Sequence, residues 1–479
     1  MKNNRRNFLK LTGLTGLSFA GTSMISGCSV AKKSDSGSSA VDAVLTEVNK
    51  NHSQHFNMSG YAAPRIDTVR IGVIGLGNRG SETVRLLSSI EGIDIKAVCD
   101  VVPDAVDAAK KMLETKGFHP EGYSGSEDAW KQICERNDID IVYVITPWSL
   151  HTPMALYSME HDKHVAVEVP AALTIDDCWR LVKTSERTRK HCIMLENCNY
   201  DFIELLNLNL ARQGFFGEII HGEGAYIHDR FNRLFEKDKT TWRLKENINK
   251  NGNLYPTHGF GPICQVMNIN HGEKLDYIVS TSSDDFMLGK MADKMAANDD
   301  FWKPYAHQKF RGNMNISTLR TSAGRTIMLQ HDTTSPRVYS NIHLISGTKA
   351  VAQKFPLPAK LSTGEEWMTP EQFKKIEDKY TPPITKKMGE IAKEVGGHGG
   401  MDLLLNWRLI DCLRNGLALD MDVYDAATYS CIVPLSQWSV ANRSNSIEVP
   451  DFTCGSWKTN KPIMDITFER GGGITKVKA

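Results

Sequence analysis

Val69-Arg70-Ile71-Gly72-Val73-Ile74-Gly75-Leu76-Gly77-Asn78-Arg79-Gly80-Ser81-Glu82-Thr83-Val84-Arg85-Leu86-Leu87 is the stretch on which the fold turns. Its first six residues form an apolar run that predicts a buried parallel strand, and Ser81 to Leu87 predict a helix. Between them stands G-x-G-x-x-G. A second strand, Ile95 to Cys99, ends at Asp100, 25 residues after Gly75. Strand, glycine turn, helix, strand and acid in this order form the dinucleotide-binding fingerprint. Gly75 makes the tight turn, Gly77 lets the backbone approach the pyrophosphate, and Gly80 lets helix and strand pack closely. Asn78 and Arg79 lie inside the phosphate loop, at a helix N-terminus that favours negative charge. Asp100 would bind both ribose hydroxyls and repel a 2′-phosphate, which selects NAD over NADP.

Outward from this stretch, strands and helices alternate from Arg65 to about Asn199. Helices are expected over Pro103 to Lys116, around Ser126 to Glu135, over Thr152 to Glu160 and over Ile175 to Arg189. Strands are expected at Asp140 to Ile145, His164 to Glu168 and Cys192 to Leu195. This is the pattern of a Rossmann-type doubly wound parallel sheet, whose ligands sit at the carboxyl ends of the strands. That rule sets Trp148, His151, Glu168, Val169 and Asn197 beside the cofactor. Three have a plainer alternative: core packing for Trp148, helix capping for His151 and Glu168. Val169-Pro170 is a candidate cis peptide.

After a helix over Asp201 to Arg212 the character changes. Strand-like segments at Glu218–Ile227, Tyr277–Ser283, Met314–Thr321, Thr326–Thr333 and Tyr339–Ser346 predict an open, mainly antiparallel sheet in a C-terminal α+β domain. The polar, Met-rich stretch Asp284 to Lys309 reads as an insertion, and Met401 to Leu417 and Asp422 to Asn442 as late helices.

The N-terminus reads as an export signal. Asn4-Arg5-Arg6-Asn7-Phe8-Leu9-Lys10 has the twin-arginine pattern, and a weakly apolar stretch, too short to span a bilayer, follows it. Ile25-Ser26-Gly27-Cys28 resembles a lipobox, with Cys28 as the lipidated thiol. The expected divisions are a signal over 1–28, a tether over 29–64, an NAD-binding domain over 65–200 and a substrate-binding domain over 201–479. The expected location is the periplasm or cell surface of a bacterium, with membrane attachment only through Cys28. Twin-arginine export moves folded chains, and NAD is scarce outside the cytoplasm. An exported dinucleotide protein is therefore expected to hold its NAD tightly and to regenerate it within each turnover.

Composition narrows the classes. Lys plus Arg number 57 and Asp plus Glu 56, for a net charge of +1. No basic patch points to nucleic acid. Of ten cysteines, the nine after Cys28 form no C-x-x-C; buried free thiols are expected, with neither a disulfide frame nor a metal site.

The order of elements resembles the glucose-fructose oxidoreductase / inositol dehydrogenase / MocA superfamily. Its dehydrogenases carry Glu-Lys-Pro at the end of the fifth strand, where this chain has Glu168-Val169-Pro170 and no lysine. The strings G-L-G-N-R-G, T-P-W-x-x-H, E-V-P, E-N-C-N-Y, Y-P-T-H and Gly396-Gly397-His398-Gly399-Gly400 are similar to one branch, glycoside hydrolase family 109, typified by α-N-acetylgalactosaminidase. The resemblance covers nearly the whole chain. It implies that Gly75, Gly77, Asn78, Arg79, Gly80, Asp100, Trp148, His151, Glu168, Val169, Asn197 and Tyr255 line NAD. Tyr226, Arg243, Tyr255, Pro256, Thr257, His258 and Tyr339 would line the sugar, with catalysis by His398, Tyr226 and His258. It also implies a glycan or glycoside ending in GalNAc as partner, and self-association as a homodimer through the sheet face.

The chemistry expected of such a site is redox-neutral. NAD takes a hydride from C3, the C2 proton becomes acidic, elimination expels the C1 oxygen, water adds at C1 and the hydride returns. His398, flanked by two glycine pairs, suits a mobile acid/base; the plainer reading is a flexible surface loop. Tyr226 would move protons at C2 or O3, or be an ordinary strand tyrosine. His258 would polarise a hydroxyl or cap a turn. Arg243 would bind a hydroxyl or the N-acetyl carbonyl, or be merely solvated. An NAD-dependent sugar dehydrogenase or epimerase, and a non-catalytic sugar sensor, are the alternatives on fold alone.

Overall fold

The computed structural model describes residues 43–237 and 241–478. The expected signal, with Arg5, Arg6 and Cys28, and the tether up to residue 42 lie outside the described residues.

Six strands lead: β1 (Val69–Ile74), β2 (Ile93–Cys99), β3 (Glu121–Tyr123), β4 (Ile141–Val144), β5 (His164–Val167) and β6 (Cys192–Met194). All pair in parallel, in the order β3-β2-β1-β4-β5-β6. The order reverses between β1 and β4, which opens a crevice at their carboxyl ends. Every residue of β4 and β5 is buried, as strands covered on both faces must be. The helices between them fall within a few residues of expectation. β3 was not anticipated: its three residues, Glu-Gly-Tyr, are largely exposed and contain no apolar run.

The second sheet contains β7 (Ile219–Ile227), β8 (Leu275–Ser282), β9 (Met314–Thr321), β10 (Thr326–Asp332), β11 (His343–Gly347), β12 (Val351–Gln353), β13 (Lys360–Ser362) and β14 (Ile447–Glu448). Its order is β13-β12-β11-β7-β10-β9-β8-β14. Only β7 and β10 run parallel, so the sheet is mainly antiparallel, as the sequence predicts. From Asn315 onward β9 alternates buried and exposed residues, the period of a strand with one wet face. The strand expected from Tyr339 begins only at His343. Ser340 makes an isolated bridge to Ile227, which leaves Tyr339 on the approach loop.

The Met-rich insertion folds as the helix Leu288–Ala296 and the turn Asp300–Tyr305. With Leu234, Phe235 and Leu244 it closes a second, smaller core around Leu288 and Trp302. The late helix Met401–Asn415 packs back onto the helix Asn78–Leu87. The amide of Ile66 donates to Leu413 O at 3.0 Å, so the end of the chain closes the Rossmann domain. Residues 43–64, within the expected tether, are packed against the body. His52 stacks on Trp179 at 3.8 Å between ring centroids, and Met58 is buried and donates its amide to the Tyr424 hydroxyl. The nine described cysteines are free, and all but Cys454 are buried.

Gly80 shows how tightly the first helix sits on the sheet. A Cβ there would lie 1.9 Å from Gly75 O. Gly80→Ala is expected to cost on the order of 1–3 kcal/mol, read as a lower denaturation midpoint in urea. An unchanged midpoint would show that the close approach does not constrain the fold.

Candidate active site

The phosphate loop can be tested glycine by glycine. Gly75 has φ +93°, and a Cβ there would meet Ile145 O at 2.1 Å. Gly77 differs: its φ of −62° suits any residue, and nothing lies within 4 Å of where its Cβ would stand. No internal contact demands glycine at 77, so what the missing side chain preserves is open space beside the loop. The helix Asn78–Leu87 begins there with no side-chain cap and no acid in its first turn, which leaves its N-terminal N–H groups for an anion.

Asp100, at the end of β2, accepts from Leu76 N at 2.6 Å and Val102 N at 2.9 Å. At the ends of β4 and β6, Thr146 Oγ1 and Asn197 Oδ1 are buried without a hydrogen-bond partner. Orphaned polar atoms in such a crevice are what a polar ligand would satisfy, and together with the space at Gly77 they fit a dinucleotide. His151 is not among the free donors. Its Nδ1 lies 2.7 Å from Pro170 O and its Nε2 2.8 Å from Thr146 O, so the buried ring ties the loop after β4 to the loop after β5. Val169 is buried, and the Val169-Pro170 peptide is cis.

Across the crevice, one carboxylate that the sequence reading missed gathers four predicted residues. Asp402 Oδ2 lies 2.6 Å from His398 Nδ1 and accepts from Arg79 Nη1 at 2.7 Å. Its Oδ1 accepts from Asn197 Nδ2 at 2.6 Å. Arg79 Nε donates onward to Glu168 Oε1 at 2.5 Å. Burial works against the Asp402 charge, yet the His398 bond and the Arg79 guanidinium hold its carboxyl well below the usual range. The Asp402 bond also raises the His398 imidazole above its ordinary value, against its partial burial. The signal for Asp402 was its place four residues beyond His398, at the start of the expected late helix.

His398 sits in an unusual backbone. Gly396, Gly397, His398, Gly399 and Gly400 all have positive φ, with His398 at +45°. Only glycine adopts such a run at low cost, which is why four glycines surround one histidine.

A second group of predicted residues forms an aromatic cluster around Trp148. Tyr255 stacks against Trp148 at 5.8 Å, and Tyr226 lies 4.6 Å from Tyr255. His258 lies edge-on to Tyr255 at 4.9 Å. The Arg243 guanidinium lies over Trp148 and Tyr255, at 5.2 Å and 5.7 Å. His258 is the second residue of the helix Thr257–Met267, which follows Pro256. Its Nδ1 lies 2.8 Å from Glu196 Oε1, a buried acid also missed, although it opens the E-N-C-N-Y string. Thr257 is buried with its hydroxyl unpartnered. Tyr226 OH lies 3.3 Å from His228 Nδ1. Burial, then Arg230 and Arg233, pushes His228 down to about 4. Burial raises the Tyr226 and Tyr255 phenols, with Arg243 opposing the shift in both. Tyr339 flanks His228 at 4.9 Å.

Among the described residues, two sets have donor types and spacing that could ligate a metal: Glu196, Cys198 and His258, and His271, Asp422 and Asp425. In the first, Glu196 and His258 are already bonded to each other.

Residues 200–459 match the family profile described as "Glycosyl hydrolase 109, C-terminal domain". The chain belongs to glycoside hydrolase family 109. Residues 69–196 match "Oxidoreductase family, NAD-binding Rossmann fold". A "Glycosyl hydrolase family 109 protein" of Shewanella pealeana is 44% identical over 97% of this chain and 99% of its own length. An "Alpha-N-acetylgalactosaminidase" of Bacteroides fragilis is 46% identical over 83% of this chain and 95% of its own. Among solved structures, an NAD binding oxidoreductase from Klebsiella pneumoniae superposes with a TM-score of 0.61 at 13% identity, covering 80% of this chain and 100% of that one. A scyllo-inositol dehydrogenase from Lactobacillus casei with bound NAD(H) and scyllo-inositol reaches 0.57 at 15% identity, over 80% and 99%; at such identities the likeness is one of fold. As a family 109 member, the chain is an NAD-dependent glycoside hydrolase.

The contrast between the glycines yields a test. Gly77→Ala is expected to leave stability within about 0.5 kcal/mol while reducing the NAD retained through purification roughly tenfold or more. Bound nucleotide released by denaturation and quantified by chromatography decides it; full retention would show that the open space at Gly77 does not serve the cofactor.

Proposed function

We propose that this protein is an exo-glycosidase that releases terminal N-acetylgalactosamine from α-linked glycans, by an elimination route with NAD held tightly and recycled. The 46% identity to the Bacteroides fragilis alpha-N-acetylgalactosaminidase supports the sugar. The observation that carries the route is the state of the acids. Hydrolysis by a carboxyl pair needs both groups facing the scissile bond. Here Glu168 is bonded to Arg79, Glu196 to His258, and Asp402 to His398, Arg79 and Asn197. What remains to act on a sugar is a set of phenols and imidazoles, groups suited to moving protons.

NAD, when bound, supplies reversible hydride transfer at C3. The proton work falls to the side chains. His258, with Nδ1 held by Glu196, has Nε2 available to take the O3 proton as C3 becomes a ketone. The buried Val169 offers no ammonium for this task. The C2 proton, now alpha to a carbonyl, passes to Tyr226 as the phenol gives its own proton to His228. His228 is neutral at ordinary pH and so able to accept. Arg243 and Arg230 favour the phenolate that forms transiently. His398, protonated further up the pH scale than an ordinary imidazole, donates to the leaving oxygen and later takes a proton from the attacking water. Asn78, Asp100 and the Gly77 amide would hold the dinucleotide; Tyr255, Trp148 and Arg243 would orient the sugar. The proposal includes export in the folded state, supported by the Arg5-Arg6 pattern and the lipobox at Cys28.

Protein purified without added nucleotide is expected to release the phenol from an aryl α-GalNAc with no added oxidant. In deuterated water the freed sugar should carry deuterium at C2, read by mass spectrometry. Retention of the C2 proton, or steady build-up of reduced cofactor with the linkage intact, would overturn the route. His398→Ala is expected to lower kcat by about 10²–10⁴-fold with bound NAD unchanged; a parallel loss of NAD would make the loop structural.

A further inference from the structure

We propose that Asp402 is the positioning residue that sets the tautomer, orientation and charge of His398. This rests on the reading of His398 as the acid/base. Asp402 is the second residue of the helix Met401–Asn415, where a carboxylate commonly caps backbone amides. Neither of its oxygens does so. Both accept from side chains: Oδ2 from Arg79, with His398 Nδ1 at 2.6 Å, and Oδ1 from Asn197. The Asp402 side chain is 1% exposed, while that of His398 is 63% exposed. The arrangement is therefore a solvent-facing imidazole on a buried anionic anchor.

Three consequences follow from the chemistry of the groups. A carboxylate collecting three donors is an acceptor only, so the proton in the 2.6 Å contact belongs to His398 Nδ1. Neutral His398 then keeps Nε2 unprotonated as the base, and charged His398 offers Nε2–H as the acid. The contact is also the one side-chain hydrogen bond of His398 among the described residues. On a segment of five successive positive φ values, the backbone alone cannot hold the ring's direction. Finally, the charged groups facing His398 are Asp402 from the helix that follows it, Arg79 from the phosphate loop and Glu168 from the end of β5. Asp402 and Glu168 favour imidazolium and Arg79 opposes it, so removing the Asp402 charge leaves the guanidinium less balanced.

The sign is then determined. Loss of the nearest anion destabilises the charged imidazole, so His398 must lose its proton at lower pH in Asp402→Asn. In the ¹⁵N-histidine-labelled holoenzyme, with His398→Gln used to assign the signal, wild-type His398 is expected as the Nδ1–H tautomer titrating above about 6.5. In Asp402→Asn the midpoint should fall by about one pH unit or more, with mixed tautomers. The matching limb of the kcat profile should move with it, kcat should drop about tenfold or more, and KM should stay within about threefold. Asp402→Glu should restore the limb towards wild type. An unchanged midpoint and tautomer, or a lower kcat with a superimposable pH profile, would overturn the proposal. If Asp402→Asn does not fold, the wild-type titration decides: an Nε2–H tautomer or a midpoint at or below about 6.5 overturns it. A shifted midpoint in an enzyme whose product lacks C2 deuterium would sink the elimination route and still support the positioning role.

Discussion

A buried carboxylate is tolerated only where enough donors surround it, and that constraint organises this molecule at Asp402. Its three donors come from three chain segments: the phosphate loop, the end of β6 and the glycine loop. Through Arg79 it reaches a fourth, the end of β5. Stripping one partner from such a cluster typically costs about 3–5 kcal/mol, enough to hold the late helix Met401–Asn415 in register on the Rossmann domain. The same atoms that join the two ends of the chain thus carry the imidazole with the greatest freedom to act.

The site has two histidine–carboxylate pairs, His258 with Glu196 and His398 with Asp402, and their settings differ in a way that matches their tasks. His258 and Glu196 are both shielded, at 14% and 0% exposure, and His258 lies in the first turn of a helix. That pair is rigid and suits a fixed transfer at one hydroxyl. His398 stands in the open on a glycine segment, tied at one atom to a buried acid. It suits a group that must serve a leaving oxygen and then a water. Similar chemistry is specialised here by backbone freedom and solvent access rather than by residue type.

Much of the fold was legible because it is periodic. The all-buried runs of β4 and β5 and the alternation of β9 announce a parallel and a half-wet sheet. What was not legible is mostly pairing across long separations. Glu196 and Asp402 look like ordinary acids in the sequence, since their partners lie 62 and 323 residues away for His258 and Arg79. His151 was readable as a polar residue at a strand end but not as a buried ring set between the carbonyls of Pro170 and Thr146. Tyr339 fell outside its expected strand because a single bridge at Ser340, not a ladder, continues the sheet.

The insertion gains meaning from electrostatics. Arg230 precedes the short helix Phe231–Leu234, which contains Arg233, and Arg243 lies within the short helix Thr241–Lys245. Those helices contribute Leu234 and Leu244 to the small core closed by Leu288 and Trp302. Burying apolar surface there supplies the free energy to hold guanidinium groups near one another against mutual repulsion. Arg230 carries that strain, its pKa lowered by burial and by its neighbours Arg243 and Arg233. The benefit falls on Tyr226 and His228, where the same positive field draws a buried phenol towards ionisation and keeps the adjacent imidazole neutral. Burial still holds the phenol above its ordinary value, so the guanidinium groups offset that rise without reversing it. A cationic rim braced by its own hydrophobic core thus lowers the cost of a transient phenolate and adds to the burial that keeps the neighbouring imidazole neutral.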